Sequence, residues 1–185
     1  MFERLLERIA NALDGTGIPY MVIGGQAVLL YGEPRLTKDI AITLGVDLDR
    51  LADVLRIIKS IDLKPLVDPD TFTRQTMVLP CADPTTGIRV DLIFSFTPYE
   101  QQAMTRVKAV KVGGADIRFA SLEDLIVHKM IAGRPRDIED VRSVLVKNAG
   151  VDLPYIRHWL GQFSDSSSES LVTRFNQIVD ETQQP

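Results

Sequence analysis

A single cysteine, Cys81, among 185 residues leaves no partner for an internal disulfide and no thiolate set for a metal cage. Nor are staples needed, since a domain of this size buries roughly 70% of its unfolded surface. The two histidines, His128 and His158, form no paired ligand motif. Beside Lys129 on a helix, His128 reads as solvated or at the core edge; His158 beside Trp159 reads as surface packing. Cations are not in excess. Lys and Arg number 21 against 25 Asp and Glu, a net charge of −4, so no general basic field holds nucleic acid and only a local patch is left for it. No apolar run approaches the roughly 20 residues of a membrane span. Met1-Phe2-Glu3-Arg4 carries no signal-peptide pattern. These absences predict a cytoplasmic chain away from membranes. A dinucleotide fingerprint is missing, because Gln26, Ala27 and Val28 follow Gly24-Gly25, and there is no nucleophile elbow.

What is present is ordinary globular material, 45% apolar and 25% charged, enough for one domain with a small appendage. Phe2, Leu5, Leu6, Ile9 and Leu13 recur at helical spacing. Gly15, Gly17 and Pro19 end that helix. Tyr20 to Ile23 reads as a strand, Gly24-Gly25 as a turn, Gln26 to Tyr31 as a short helix, and Gly32 to Lys38 as a loop. A strand from Asp39 to Leu44 follows, then a helix capped by Asp49. Gln75 to Leu79 and Ile88 to Phe96 are predicted to pair as an antiparallel hairpin around Asp83-Pro84 and Gly87. Lys108 to Val112 and Asp116 to Phe119 make a second hairpin across Gly113-Gly114. From Ser121 the pattern turns helical: a capping box at Ser121 and Asp124, a break at Gly133 and Pro135, a new helix near Arg136, and another over Leu153 to Phe163. A second capping-box pattern at Ser166 and Glu169 precedes Leu171, Val172, Phe175, Ile178 and Val179. The expected fold is α/β: a mixed sheet flanked by helices over 1–120, with a helical C-terminal region over 121–185 packed on it.

Three features carry chemistry. Gly24-Gly25 lies between strand and helix, where a backbone can approach a phosphate; a tight turn alone also explains it. Asp39 heads one apolar strand and Asp91 interrupts another, Val90-Asp91-Leu92. Acids so placed are costly to bury unless paired or metal-bound, and two on neighbouring strands suit a hard cation such as magnesium. The third feature is the helix bearing Lys129 and the segment Arg134-Pro135-Arg136-Asp137 with Asp140. Acids there also fit a helix dipole with no further role.

In this order and spacing, Tyr20-Met-Val-Ile-Gly-Gly-Gln-Ala, Arg35-Leu-Thr-Lys-Asp-Ile and Val90-Asp91-Leu resemble the polymerase-beta-like nucleotidyltransferase superfamily. The Lys129 helix and the Arg134 to Asp140 segment resemble its abortive-infection toxin branch, the nucleotidyltransferase toxins of bacterial toxin–antitoxin pairs. The resemblance implies that Gly24 and Gly25 bind the phosphates of a nucleoside triphosphate, with Arg35 and Lys38 beside them. It implies that Asp39 and Asp91 bind Mg2+, that Lys129 contacts the triphosphate, and that Asp137 serves the catalytic cluster. The acceptor would be a hydroxyl of a tRNA end or of a protein, and an antitoxin would be the partner. Arg35, Lys38, Arg134 and Arg136 are the candidates for a local tRNA-binding patch. Antibiotic-modifying nucleotidyltransferases are a rival, against which the Lys129 to Asp140 segment weighs.

Position 41 departs from that pattern. The superfamily places a second metal-binding acid two residues after the first, on the same strand face; here Ala41 follows Asp39. Ile40 and Ile42 face the other way. The expectation is an inactive or nearly inactive enzyme. An engineered removal of the acid and a natural pseudoenzyme that retains nucleotide or partner binding both account for Ala41.

Overall fold

The computed structural model describes residues 1–163 and 170–183. Helix α1 (Phe2–Asp14) buries Leu5, Leu6, Ile9, Ala10 and Leu13, the stripe its periodicity marks. Strand β1 (Tyr20–Ile23) is buried along its whole length. Helix α2 (Gly24–Tyr31) starts on the glycine pair itself, so no separate turn intervenes. Strand β2 (Asp39–Leu44) and helix α3 (Leu51–Ser60) follow, joined through a 3-10 turn whose N-cap is Asp47 rather than Asp49.

The segment before the first hairpin differs from the sequence expectation. A two-residue strand β3 (Lys64–Pro65) and helix α4 (Pro69–Thr76) occupy it, so Gln75 and Thr76 are helical. The physical reason is local. Asp68 accepts the Thr71 N–H, Pro69 sits in the first turn, and Met77 closes the helix in the left-handed region at φ 61°. Strand β4 (Val78–Ala82) starts after it and pairs antiparallel with β5 (Arg89–Phe94), as the hairpin reading requires. Helix α5 (Pro98–Thr105) is a further element with no counterpart in the sequence reading. Strands β6 (Lys108–Val112) and β7 (Ala115–Phe119) form the second hairpin as expected.

The strands make one mixed sheet in the order β3-β4-β5-β2-β1-β7-β6. The β2–β5 and β1–β7 pairs are parallel; the others are antiparallel. Helices α6 (Leu122–Ala132), α7 (Pro135–Lys147), α8 (Leu153–Gln162) and α9 (Leu171–Gln183) complete the described chain. Ser121 caps α6 as predicted, accepting the Asp124 N–H at 3.1 Å. The pattern at Ser166 and Glu169 lies outside the described residues. No helix among the described residues is long and apolar enough to cross a membrane.

Strand alternation sorts the sheet into two faces. Ile40, Ile42 and Leu44 on β2, with Val90, Leu92 and Phe94 on β5, point into the core and are almost fully buried. Asp39 and Ala41, with Asp91, point to the other face and are less covered. That face, roofed by α6 and the start of α7, holds the candidate site.

Candidate active site

Register brings the key positions together. Ala41 is the Cα partner of Asp91 on one side and of Ile23 on the other. The next residue after Ile23 is Gly24, at φ +66°, a conformation that glycine adopts without penalty. A Cβ placed on Gly24 would meet the Ala41 Cβ at 3.4 Å. Position 41 therefore lies between the glycine pair and Asp91 on the floor of one cavity of about 620 Å³, within the usual size range of small-molecule sites. Gly24, Gly25, Arg35, Asp39, Asp91, Lys129 and Asp137 all line that cavity, whereas Lys38 is exposed and does not.

Gly25 is required by a close approach. A Cβ there would lie 2.6 Å from Thr37 Oγ1 and 2.9 Å from Thr37 Cβ. The loop after α2 thus folds back over the start of that helix. Gly25→Ala is expected to destabilise the protein by about 1–3 kcal/mol through overpacking. Thermal melts would show this, and adding Thr37→Gly should recover most of the loss.

On the roof, charges alternate along a chain. Arg134 Nε donates to Asp137 Oδ2 at 2.6 Å. Lys129 Nζ donates to Asp137 Oδ1 at 2.7 Å and lies 2.7 Å from Asp140 Oδ2. Arg35 then grips Asp140 with two nitrogens, Nε at 2.8 Å and Nη2 at 2.9 Å. Lys129, Asp137 and Asp140 are buried. Such charges persist inside a protein only when paired and hydrogen-bonded, as these are. Burial alone would raise the Asp137 carboxyl, but hydrogen bonds and charge from Arg134 and Lys129 outweigh it and hold the group below the ordinary carboxylate range. A depressed folded-state pKa contributes stability that is complete above the unfolded value of about 4 and vanishes as pH falls through the folded one. The difference in urea midpoint between the native chain and Asp137→Asn should therefore shrink as pH is lowered from about 6 to about 3.

Asp140 was visible in the sequence only as part of a charged cluster. Its spacing of three from Asp137 puts both on one helix face, which is the signal that marks it. Nothing in the sequence pattern marks Arg89. It sits opposite Asp39 in register, and its Nε donates to Asp91 Oδ1 at 2.9 Å. His128 lies at the cavity wall with its ring 5.6 Å from Tyr99, and its Nε2 has no hydrogen-bond partner. Burial lowers its pKa against the pull of Glu100 and Asp124, so the imidazole is neutral at pH 7. His158 packs on Trp159 at 5.1 Å, the surface role expected of it. Cys81 is buried, its thiol pushed up to about 12 by burial and by Asp91, and it is no nucleophile.

The residues present do not fit a two-ion metal site. Asp39 and Asp91 contribute carboxylates, but Ala41 between them has no donor and Asp91 already accepts from Arg89. Among the described residues, no group of three or more His, Cys, Asp or Glu side chains is placed to hold a metal ion.

Comparison with known proteins gives the chain a family and relatives in fold. A family profile described as "Nucleotidyltransferase of unknown function (DUF6036)" matches residues 2–183. The chain belongs to this family. No curated protein matches it significantly. Among solved structures, it is similar to an antigenic nucleotidyltransferase-like protein from Paracoccidioides brasiliensis, with TM-score 0.61 and 17% identity over 97% of this chain and 87% of that one. It is also similar to ANT(2″)-Ia, solved in complex with adenylyl-2″-tobramycin, with TM-score 0.57 and 16% identity over 95% and 97% of the two chains. A protein described as a nucleotidyltransferase of Thermotoga maritima gives TM-score 0.54 and 19% identity over 80% and 94%. At these identities the likeness establishes the fold. The family match supports a nucleotidyltransferase.

Proposed function

We propose that the cavity is the nucleoside triphosphate site of a nucleotidyltransferase whose transfer step is all but silenced by Ala41. One observation carries the reading: Ala41 stands between Asp91 and Gly24 on the floor of a cavity roofed by Lys129, Arg35 and Arg134. Backbone N–H groups at the start of α2 suit phosphate oxygens. Lys129 and the two arginines supply cations that the buried carboxylates hold in place. In the reaction, an acceptor hydroxyl oxygen bonds to the α-phosphorus and gives up its proton to solvent. The bond from that phosphorus to the bridging oxygen breaks, and pyrophosphate leaves.

In this reading the acceptor is a hydroxyl of a tRNA end or a protein side chain, the chain is of the toxin–antitoxin type, and a cognate antitoxin is its partner. Exposed Arg136 and Arg134 at the cavity mouth support an anionic acceptor despite the overall charge of −4. Two other outcomes remain to be separated by experiment: a small-molecule acceptor, as the tobramycin adduct of ANT(2″)-Ia illustrates for that protein, and a pseudoenzyme that only binds. The test is transfer of label from each of four α-32P nucleoside triphosphates, with Mg2+, by the native chain and by Ala41→Asp, into bacterial RNA, protein and small-molecule fractions. Label in RNA or protein with the variant supports the reading. Label only in small molecules moves the acceptor. No label in any fraction overturns the transferase.

A further inference from the structure

Among the described residues, the charges around the cavity balance differently from what a metal-requiring phosphate site needs. Arg35, Lys129, Arg134 and Arg136 line it, and Arg89 reaches Asp91 on its floor. Against them stand Asp39, Asp91 and Asp137 in the lining and Asp140 behind Lys129 and Arg35. One cation is therefore in excess. Three of the carboxylates are neutralised within the protein: Asp91 by Arg89, Asp137 by Lys129 and Arg134, and Asp140 by Lys129 and Arg35. Arg136 lines the mouth with no ion pair among those formed by the described residues. An acid at position 41 would remove that excess. It would also place a third carboxylate on the floor beside the glycine pair, where the phosphates approach. A polyanion cannot share that floor with three carboxylates unless a divalent cation lies between them. With alanine, two remain, and one of them, Asp91, is already paired with Arg89.

We infer that this chain binds its nucleoside triphosphate without a divalent cation, its own arginines and Lys129 supplying the countercharge. The inference rests on the triphosphate reading of the same cavity and adds to it: Ala41 removes the site's need for metal as well as its capacity for fast transfer. Lys129 and Arg35 are held by buried carboxylates in the protein alone, so they are preorganised rather than recruited by the ligand. Arg136 is the cation most free to reorient toward a terminal phosphate.

The experiment is calorimetric titration of the native chain, Ala41→Asp and Ala41→Asn with ATP, GTP, CTP and UTP in turn. Each runs in EDTA and in excess Mg2+ at fixed ionic strength, because exposed arginines are screened by salt. For the nucleotide that binds, the native Kd in EDTA should lie within about fivefold of that in Mg2+. Ala41→Asn, matching aspartate in size without its charge, should behave likewise. Ala41→Asp should lose more than about fivefold in EDTA. A native chain that loses fivefold or more in EDTA overturns the inference while leaving triphosphate binding intact. So does an aspartate variant as metal-independent as the native chain. If no nucleotide binds the native chain in either buffer, the triphosphate reading falls and takes this inference with it. Should the aspartate variant fail to fold, the native chain and the asparagine variant decide the question.

Discussion

Ala41→Asp is expected to raise nucleotidyl transfer by about a hundredfold or more. Loss of a residue that only supports a metal ligand typically costs about 10–100-fold, and a carboxylate that itself binds metal stands closer to the chemistry. The position is built to receive it. Ala41 shares a strand face with Asp39, faces Asp91 across the parallel β2–β5 pair, and has space toward Gly24 because that residue has no side chain. The new carboxylate should make three acids converge, and like charges at neighbouring strand positions destabilise by roughly 0.2–1 kcal/mol per pair. Mg2+ should therefore raise the Tm of the variant more than that of the native chain. Expression in bacterial cells gives a second reading. Growth arrest with Ala41→Asp and normal growth with the native chain, at matched protein levels, is the outcome for a disabled toxin. Equal growth would instead point to an enzyme with a benign acceptor or to a binding protein, and the label-transfer assay separates these.

Much of this site was legible because its signals are local. Tyr20 to Ile23 is an apolar run ending on two glycines, and the resemblance to nucleotidyltransferases implies adjacent strands for Asp39 and Asp91. The register confirms that adjacency and puts Ala41 directly opposite Asp91. Ser121 and Gly133 bracket α6 as capping chemistry predicts, and Gly133 takes the left-handed C-terminal position.

What was not legible depends on tertiary contacts or on weak local pattern. Helices α4 and α5 are short and begin at Pro69 and Pro98; α4 buries Thr73, and α5 buries Tyr99, Glu100 and Ala103, a mixed set with no apolar repeat to announce it. Neither presents an apolar stripe, and in Gln75 to Leu79 the β-prone end residues masked a helix terminus. The bond from Arg35 to Asp140 spans 105 residues of sequence, so no spacing rule announces it. The same holds for Thr37 against Gly25, which only the return of the loop over α2 creates.

Lys129→Met is expected to destabilise the protein by about 3 kcal/mol, the low end of the cost of removing one partner from a buried ion pair. Its Nζ lies 2.7 Å from both Asp137 and Asp140, so its loss leaves two buried carboxylates with one cation each. Arg134 is 75% exposed and Arg35 is 21% exposed, which makes them weaker countercharges than the ammonium they would replace. For a domain of this size, that loss corresponds to a fall in Tm of about 6–12 °C. Met has the length to fill the space, so the cost is electrostatic rather than a cavity. Lys129→Met combined with Asp137→Asn and Asp140→Asn should then regain part of the stability, because no buried carboxylate is left short of a cation, and Arg35 and Arg134, which lose their partners, both reach solvent. Nucleotide affinity should not return with it, since the cation that meets the phosphates is still missing. Urea unfolding and ATP titration on the same three proteins separate the two roles. A triple variant that is stable and still binds nucleotide like the native chain would make Lys129 a structural ion alone, and would move phosphate binding to Arg35, Arg134 and Arg136.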